Sequence, residues 1–423
     1  MKTFINSDLK RSFLNIYNDG TAILLESQLA DHPSSQKTYM AAQPVRSIRA
    51  YGSTIIENDG ENEKRYSSDP WKALQNFRKR KKSWLFGYLG YDLKNYTEKL
   101  TSDNKAYVQT PDLFFIEPAV LLCVDKSGNV ESISGDFAPQ GSAEARLDGG
   151  RFFGVKSAMT KEQYKRTIHE IKWRITEGDF YEINFSFPMV GRHEGESYRL
   201  FEEMKKINPV PFAAYISTRD FSICCSSPER FLKREGNRVV SEPIKGTAAR
   251  SDDPERDRML RDILNNEKNR AENLMIVDLV RHDFSRVAKP GSVTVSKLYD
   301  IKSFGTVHQL ISTIEAEVEP ENDSVEVIKA CFPMGSMTGA PKIEVMKAIE
   351  QLEHYKRGIY SGAIGYFKPN DDFDFNVVIR SAIIQNGTVV YPVGGAITSD
   401  SDPDDEWEET SVKAKTITKI VET

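Results

Sequence analysis

Three consecutive segments near the C-terminus, GIYSGAIGYF (358–367), DFNVVIRSAII (374–384) and VVYPVGGAIT (389–398), decide the fold class. Each is rich in β-branched and aromatic residues, and short polar or Gly-containing stretches separate them. This is the pattern of antiparallel strands joined by turns. Further strands are predicted at 211–217, 221–225 and 238–242.

A helix and a strand precede these segments. Thr160 and Gln163 form a capping-box pattern, an apolar face follows, and Gly178 ends the predicted helix. The next segment, YEINFSFPM (181–189), alternates as a strand does, so its polar face is either solvent-exposed or the floor of a polar pocket. Strands outnumber helices and are mostly linked as hairpins, which predicts an α+β fold with antiparallel sheets.

Composition excludes several classes of protein. The 423 residues are 39% hydrophobic and 10% aromatic, which suits one or two large cores and argues against disorder. The net charge is −5, from 57 basic and 62 acidic residues, so we expect no nucleic-acid partner and no membrane partner. The basic run RKRKK (78–82) is interpreted as the solvated end of a helix.

The cysteines and the N-terminus indicate a cytoplasmic protein. The four cysteines show no CxxC spacing and lie in apolar contexts, as buried free thiols do in a reducing compartment. MKTFINSDLK (1–10) has no apolar signal core, and the longest purely apolar run, AVLLCV (119–124), is too short to span a bilayer.

A polar, Gly-containing stretch at 126–151 suggests a boundary. It separates an N-terminal region, 1–150, from a second domain, 157–423.

Lys245 is the lysine with the most constrained backbone context. It lies in SEPIKGTAAR (241–250), where Pro243 fixes its own φ and Gly246 tolerates conformations closed to other residues. A lysine is a nucleophile only when its amine is neutral, which requires burial or a neighbouring cation to lower its pKa. Taken alone, the segment is more typical of a solvated lysine before a turn.

The motifs together resemble one family. The chorismate-utilising enzymes contain similar motifs in the same order, strongly over about 157–423 and weakly over 1–150. The motifs are RAENLMIVDLVRHD (270–283), CFPMGSMTGAPK (331–342), RGIYSGAIGYF (357–367), VIRSA (378–382) and EWEETSVKA (406–414).

This resemblance implies a four-layer α/β/β/α core with two orthogonally packed antiparallel sheets. It also implies that 1–150 is similar to the N-terminal region of anthranilate synthase component I and that 157–423 is a chorismate-utilising catalytic domain.

Lys245 separates the branches of this family. Anthranilate, isochorismate and salicylate synthases resemble one another in lacking a lysine here, whereas PIKGT (243–247) is similar to the aminodeoxychorismate synthase component I branch. The branches that use water carry a lysine at the position of Glu182. The resemblance therefore implies that the chain aminates chorismate at ring carbon 4 for p-aminobenzoate and folate synthesis.

Roles for individual residues follow from the same resemblance. Lys245 is the expected nucleophile and Glu229 the expected general acid, because expelling a hydroxyl group requires a proton. Magnesium is the expected cofactor, held by Glu272, Glu406 and Glu409, since it prefers carboxylate oxygens. Contacts to the substrate are expected from Thr247, Thr338, Gly339, Ala340, Tyr360, Arg380, Gly394, Gly395, Ala396 and Lys413.

Several positions depart from the family pattern. Glu182 stands where glutamine is usual in the branches that use ammonia, which affects the handling of ammonia. Asn269 stands where an acidic residue is often found, which affects an outer contact to the metal. His282 and Gln309 are also unusual. LLES (24–27) and NPVPF (208–212) resemble tryptophan-binding segments, so bound tryptophan is a further possible partner.

Two alternatives remain open. One is anthranilate synthase component I, which shares every feature except the need for Lys245. The other is a non-catalytic regulatory subunit that binds an aromatic amino acid, although such a protein would have lost its acid, nucleophile or metal carboxylates.

No cysteine lies on a Gly-flanked turn, as the nucleophile of a glutaminase would, and the chain ends soon after Lys413. We therefore expect ammonia from a separate glutaminase subunit in a heterodimer.

Overall fold

The computed structural model describes residues 7–17, 20–27, 37–138, 151–207, 209–304 and 307–421. Its α-helices are α1 (Ser7–Ile16), α2 (Pro70–Arg80), α3 (Lys161–Glu177), α4 (Ser197–Ile207), α5 (Pro254–Asp262), α6 (Glu267–Ser285), α7 (Ser324–Cys331), α8 (Lys342–Glu353) and α9 (Pro403–Val421).

The strands of the first half of the chain are β1 (Ala22–Glu26), β2 (Lys37–Tyr51), β3 (Thr54–Asn58), β4 (Glu63–Ser67), β5 (Leu85–Leu89), β6 (Leu113–Asp125), β7 (Val130–Ser134), β8 (Arg151–Ser157), β9 (Glu182–Glu194) and β10 (Phe212–Ser217). Those of the second half are β11 (Ser222–Ser227), β12 (Arg230–Glu235), β13 (Arg238–Glu242), β14 (Ile244–Ala249), β15 (Thr294–Ser303), β16 (Val307–Glu317), β17 (Gly339–Ala340), β18 (Ala363–Phe367), β19 (Phe373–Val377), β20 (Ser381–Gln385) and β21 (Thr388–Ile397).

These strands pair antiparallel in two groups that the long strands β2 and β6 connect. The first group runs β8, β9, β21, β20, β11, β10, β1 and then β2. The second runs β15, β16, β13, β12, β19, β18, β5 and then β6. The β2–β6 pairing shifts register between Pro44 and Arg46, which divides each long strand between the two groups.

The side chains of β6 show how the layers arise. Phe114 and Cys123 lie in the core between the two groups of strands, whereas Phe115 faces the core under α2, α6 and α7, and Leu122 faces the core under α1, α3, α4, α8 and α9. Successive side chains of a strand point to opposite faces, so a sheet buried on both sides reads as a continuous apolar run. The predicted α+β fold and its four-layer α/β/β/α core are confirmed.

Local predictions are largely confirmed, with two corrections. The capping box of Thr160 and Gln163 is present, and Gly178 ends α3 in the left-handed conformation. The segment 374–384, predicted as one strand, instead forms β19 and β20 with residues 378–380 between them. Helix α6 begins at Glu267, because the Asn266 side chain accepts a hydrogen bond from the backbone N–H of Asn269. Strands β12 and β14 were not predicted.

The N-terminal and C-terminal regions share their sheets. Strand β1 pairs with β10, and β5 pairs with β18. The division into 1–150 and 157–423 stays a prediction, because 139–150 lie outside the described residues. Among the helices that are described, none is long and apolar enough to cross a membrane.

Candidate active site

A cavity of about 680 Å³ opens where β9, β14 and β21 meet α6 and α9. Its walls carry four carboxylates and four cationic side chains, and such a mixture suits a small, highly charged ligand. Twelve of the residues predicted from sequence line it: Glu229, Lys245, Thr247, Glu272, Tyr360, Arg380, Gly394, Gly395, Ala396, Glu406, Glu409 and Lys413.

Strand β14 presents Lys245 to this cavity through an irregular backbone. Its pairing with β16 shifts register between Ile244 and Thr247. Gly246 has a φ of +83°, and a Cβ there would lie 3.1 Å from the Asn269 Nδ2 atom. A glycine therefore suits this position on both counts, as the sequence indicated.

Lys245 is enclosed by carboxylates. Its side chain is 11% exposed, and its Nζ atom donates a hydrogen bond of 2.7 Å to Glu182 and lies 3.8 Å from Glu272. Burial disfavours the charged ammonium, but the charges of Glu182 and Glu272 outweigh burial and raise the pKa of Lys245 above its ordinary value. These carboxylates therefore favour the ammonium form of Lys245, and its role as a neutral nucleophile stays a prediction.

Glu229 has the properties of a general acid. Burial raises its pKa to about 7, although the hydrogen bond from Ser336 and the charge of Lys245 both act in the opposite direction. The Ser336 hydroxyl donates to Glu229 Oε1 at 2.7 Å. A carboxyl group with such a pKa is protonated in about half of the molecules at pH 7 and can transfer that proton to a leaving group.

The three predicted metal carboxylates lie on two helices that border the cavity. Glu272 projects from α6, and Glu406 and Glu409 project from α9. Burial raises the pKa of Glu272, which Glu182 and Glu406 raise further. Burial and Glu409 also raise the pKa of Glu406.

Each α9 carboxylate has a partner of its own. Ser401 donates to Glu406 at 2.7 Å, and Lys413 forms an ion pair of 2.6 Å with Glu409, which holds the pKa of Glu409 down against the effect of burial. Within the described part of the chain, no group of three His, Cys, Asp or Glu side chains is placed to hold a metal ion in this conformation.

Cationic and backbone groups occupy the opposite side of the cavity. Arg380 has a φ of +49°, and its guanidinium forms no ion pair or hydrogen bond with the described residues. Lys413 donates to the Gly394 carbonyl at 2.8 Å. At Gly395, an added Cβ would lie 3.5 Å from Glu406 Oε2 and 3.7 Å from Lys413 Nζ, so any longer side chain would occupy the space between them.

Thr338, Gly339 and Ala340 were also expected to contact the substrate, but they do not line the cavity. The Thr338 hydroxyl donates to the Met334 carbonyl at 3.1 Å, and Gly339 pairs with Ile183 of β9. Gly339 has a φ of +144°, and a Cβ there would lie 1.9 Å from the Glu182 carbonyl oxygen. In this conformation, Thr338 and Gly339 contact the backbone of β9 behind the cavity and do not form part of the cavity wall.

Comparison with known proteins agrees with this geometry. The family model described as chorismate binding enzyme matches residues 21–419. The chain belongs to this family. It is 31% identical to aminodeoxychorismate synthase component 1 of Escherichia coli, over 95% of this chain and 93% of that protein.

Other relatives agree with this assignment. A probable chloroplastic aminodeoxychorismate synthase of rice is 38% identical over 79% of this chain. The matched region covers 43% of the rice protein, which is longer than this chain. The crystal structure of anthranilate synthase component I from Streptococcus pneumoniae superposes with a TM-score of 0.79 at 25% identity, over 92% of this chain and 93% of that chain.

The carboxylates fit magnesium as donors. Their oxygens are hard ligands of the kind that Mg²⁺ takes, and Mg²⁺ commonly keeps several waters and uses few protein ligands. Burial and neighbouring carboxylates raise the pKa values of Glu272 and Glu406, and a bound cation would relieve the repulsion between these carboxylates.

The unusual residues differ in their surroundings. Glu182 is 1% exposed, and its Oε2 atom has no partner among the described residues. Asn269 donates to the Leu264 carbonyl at 3.1 Å, so it supports the turn before α6. His282 is exposed and Gln309 is buried, and no contact explains either substitution.

The segments predicted to bind tryptophan lie together. Residues 25–27 of the first segment and residues 211 and 212 of the second line a separate cavity of about 250 Å³, while Asn208 lies outside the described residues. Glu26 is paired there with Lys10 at 2.9 Å and Lys205 at 2.6 Å. Binding of tryptophan stays a prediction.

Sequence analysis missed several residues of the main cavity. Ser336 and Lys268 line it, and Lys268 lies 3.7 Å from Glu406. Ser336 lies within the family motif at 331–342 but was not assigned a role, and Lys268 carries no signal in the sequence. Asn184 could have been found, because it shares the polar face of β9 with Glu182.

Proposed function

We propose that this chain aminates chorismate at ring carbon 4 and forms 4-amino-4-deoxychorismate. The observation that carries the proposal is Lys245, which faces the same cavity as the acid Glu229 and lies in a PIKGT segment. Relatives named aminodeoxychorismate synthase component 1 that match almost the whole chain support it.

Substrate orientation is assigned to the cationic side of the cavity. Chorismate carries two carboxylates, and the guanidinium of Arg380 can bind one of them through two hydrogen bonds. Lys413 and the backbone at 394–396 are placed for further contacts. Magnesium would be held by Glu272, Glu406 and Glu409, and when bound it would neutralise negative charge on a substrate carboxylate.

The chemistry proceeds in two displacements. The neutral amine of Lys245 attacks ring carbon 2, both ring double bonds shift, and Glu229 protonates the departing 4-hydroxyl, which leaves as water. Ammonia then attacks carbon 4, both double bonds shift back, and the lysine leaves carbon 2 and recovers its electron pair. Dividing one difficult displacement into two easier ones is the usual gain of covalent catalysis.

Lys245 must lose its proton before it attacks. Because Glu182 and Glu272 favour the ammonium form, binding of the substrate and of a cation would have to change this environment. Neutralisation of Glu272 by a cation would remove one of the carboxylate charges that raise the pKa of Lys245.

A separate subunit is proposed as the source of ammonia. The four cysteines are free and buried, and burial raises the thiol pKa of each of them, so none resembles the reactive thiol of a glutaminase. Four buried free thiols also suit a reducing compartment, and we propose a cytoplasmic location.

Product analysis tests the proposal. The chain is incubated with chorismate, magnesium and ammonium, and the products are separated by chromatography. We expect 4-amino-4-deoxychorismate, whereas fluorescent anthranilate would indicate anthranilate synthase, a name that relatives such as the Aquifex aeolicus protein carry. Binding of chorismate without turnover would favour a regulatory subunit.

A further inference from the structure

Arg357 is a cation buried beneath the cavity wall. Its side chain is 1% exposed, and that of its partner Glu353, which lies 2.6 Å away, is 0% exposed. Burying a charge pair is costly unless every donor and acceptor is satisfied. The partners of this pair are therefore informative.

All five N–H groups of Arg357 are used. Two donate to the Glu353 carboxylate at 2.8 and 2.6 Å. The others donate to the Met337 carbonyl at 2.6 Å, the Ser361 hydroxyl at 3.0 Å and the Asn184 carbonyl at 2.7 Å. A planar guanidinium fixes the directions of these bonds as well as their lengths.

Glu353 extends the same network. Its Oε1 atom also accepts from the backbone N–H and the hydroxyl of Ser186, each at 2.8 Å. The ion pair thus connects the end of α8 with β9, the turn at 335–338 and the turn at 358–361.

Each of the three connected segments contributes to the cavity wall. Asn184 comes from β9, Tyr360 from the second turn, and Ser336 and Met337 from the first. Ser336 precedes Met337, whose carbonyl Arg357 holds, and its hydroxyl donates to Glu229 at 2.7 Å. A shift of the 335–338 turn would therefore remove the hydrogen bond that aims the Glu229 carboxyl group.

We propose that Arg357, paired with Glu353, is a positioning residue that holds Ser336 in place and thereby orients the Glu229 acid for proton transfer. The inference rests on the proposed function, because it needs Glu229 to act as the acid. Arg357 does not line the cavity, so its effect on substrate passes through the residues that it holds.

The test uses Arg357→Lys in the full chain. Lysine keeps a cation for Glu353 but cannot reach the Met337 and Asn184 carbonyls together. The matched control is Arg78→Lys, which changes another buried arginine that is paired with Asp371 at 3.0 Å and lies outside the cavity wall. Melting temperature, KM for chorismate and kcat for chorismate consumption are measured for both.

We expect Arg357→Lys to lower kcat about 100-fold, as small displacements of catalytic groups do. KM should change less than about threefold, because uniform substrate binding is retained, and Arg78→Lys should leave kcat unchanged. Adding Ser336→Ala to Arg357→Lys should lower kcat only slightly further, since the two residues act in one chain of contacts.

Equal losses of kcat in Arg357→Lys and Arg78→Lys would overturn the proposal, and so would losses from Arg357→Lys and Ser336→Ala that multiply. If Arg357→Lys does not fold, Glu353→Gln replaces it in the same cycle with the same expected non-additivity. A wild-type product other than 4-amino-4-deoxychorismate would contradict the proposed function, while the comparison of chorismate consumption would still decide the role of Arg357.

Discussion

Replacing Glu182 by glutamine should lower the pKa of Lys245. The carboxylate accepts a 2.7 Å hydrogen bond from the Lys245 ammonium in a site where both groups are buried. A hydrogen bond between charged groups contributes about 1.5–3 kcal/mol, and one pKa unit corresponds to about 1.4 kcal/mol. Glutamine has a similar size but no charge, so the ammonium form of Lys245 should lose about this much stabilisation and its pKa should fall.

The assay follows acylation of Lys245 by a small amine-reactive reagent as a function of pH, in chelator, with peptide mass spectrometry. The midpoint should move to lower pH in Glu182→Gln. Lys342, which pairs with Asp283 at 2.7 Å, provides an internal reference that should not move. Glu272→Gln is the matched control and should give a smaller shift, because Glu272 lies 3.8 Å from Lys245. An unchanged or raised midpoint in Glu182→Gln would refute the account of the Lys245 environment.

Three further predictions concern the acid, the metal and the source of ammonia. Glu229→Gln should lower kcat about 10²–10⁴-fold. At a fixed concentration of free ammonia, the wild-type kcat should fall above pH about 7, because Glu229 loses its proton there. A wild-type rate that does not fall in this range would contradict the acid role. Glu409→Gln should raise the magnesium concentration needed for half-maximal activity at least about tenfold, with little change in melting temperature. The control is Glu408→Gln, because Glu408 is exposed and lies outside the cavity wall, and it should change neither quantity. Full wild-type activity in excess chelator would exclude a role for magnesium. The isolated chain should use ammonium and not glutamine, and equal efficiency with both would show that no separate glutaminase is needed.

The elements with strong local signals were predictable from sequence. Thr160, Gln163 and Gly178 predicted the limits of α3, because capping depends on residues within a few positions of the helix ends. The alternation in β9 predicted that Glu182, Asn184 and Ser186 share a face, but not that this face is buried. Burial there depends on contacts such as that between Ser186 and Glu353, which are 167 positions apart in the chain.

The site was predictable only as a set of residues. The family motifs predicted twelve residues that line one cavity, whereas Thr338 and Gly339 of the same motifs lie behind it. The charge of Lys245 was not predictable, because its partner Glu182 lies 63 positions away in the chain and only the tertiary fold brings the two side chains together. Local constraint on a lysine does not determine its pKa, since neighbouring carboxylates can outweigh burial.

Intact-mass spectrometry of the chain mixed with chorismate and magnesium, without ammonia, tests the central claim most directly. A covalent intermediate on Lys245 would add the mass of chorismate less one molecule of water, and peptide mapping would place it on Lys245. We expect this adduct in the wild type, its absence in Lys245→Ala, and its disappearance when ammonium is added. A wild type that forms product from ammonium while no adduct accumulates on rapid quenching, together with near-normal activity of Lys245→Ala, would contradict the covalent mechanism.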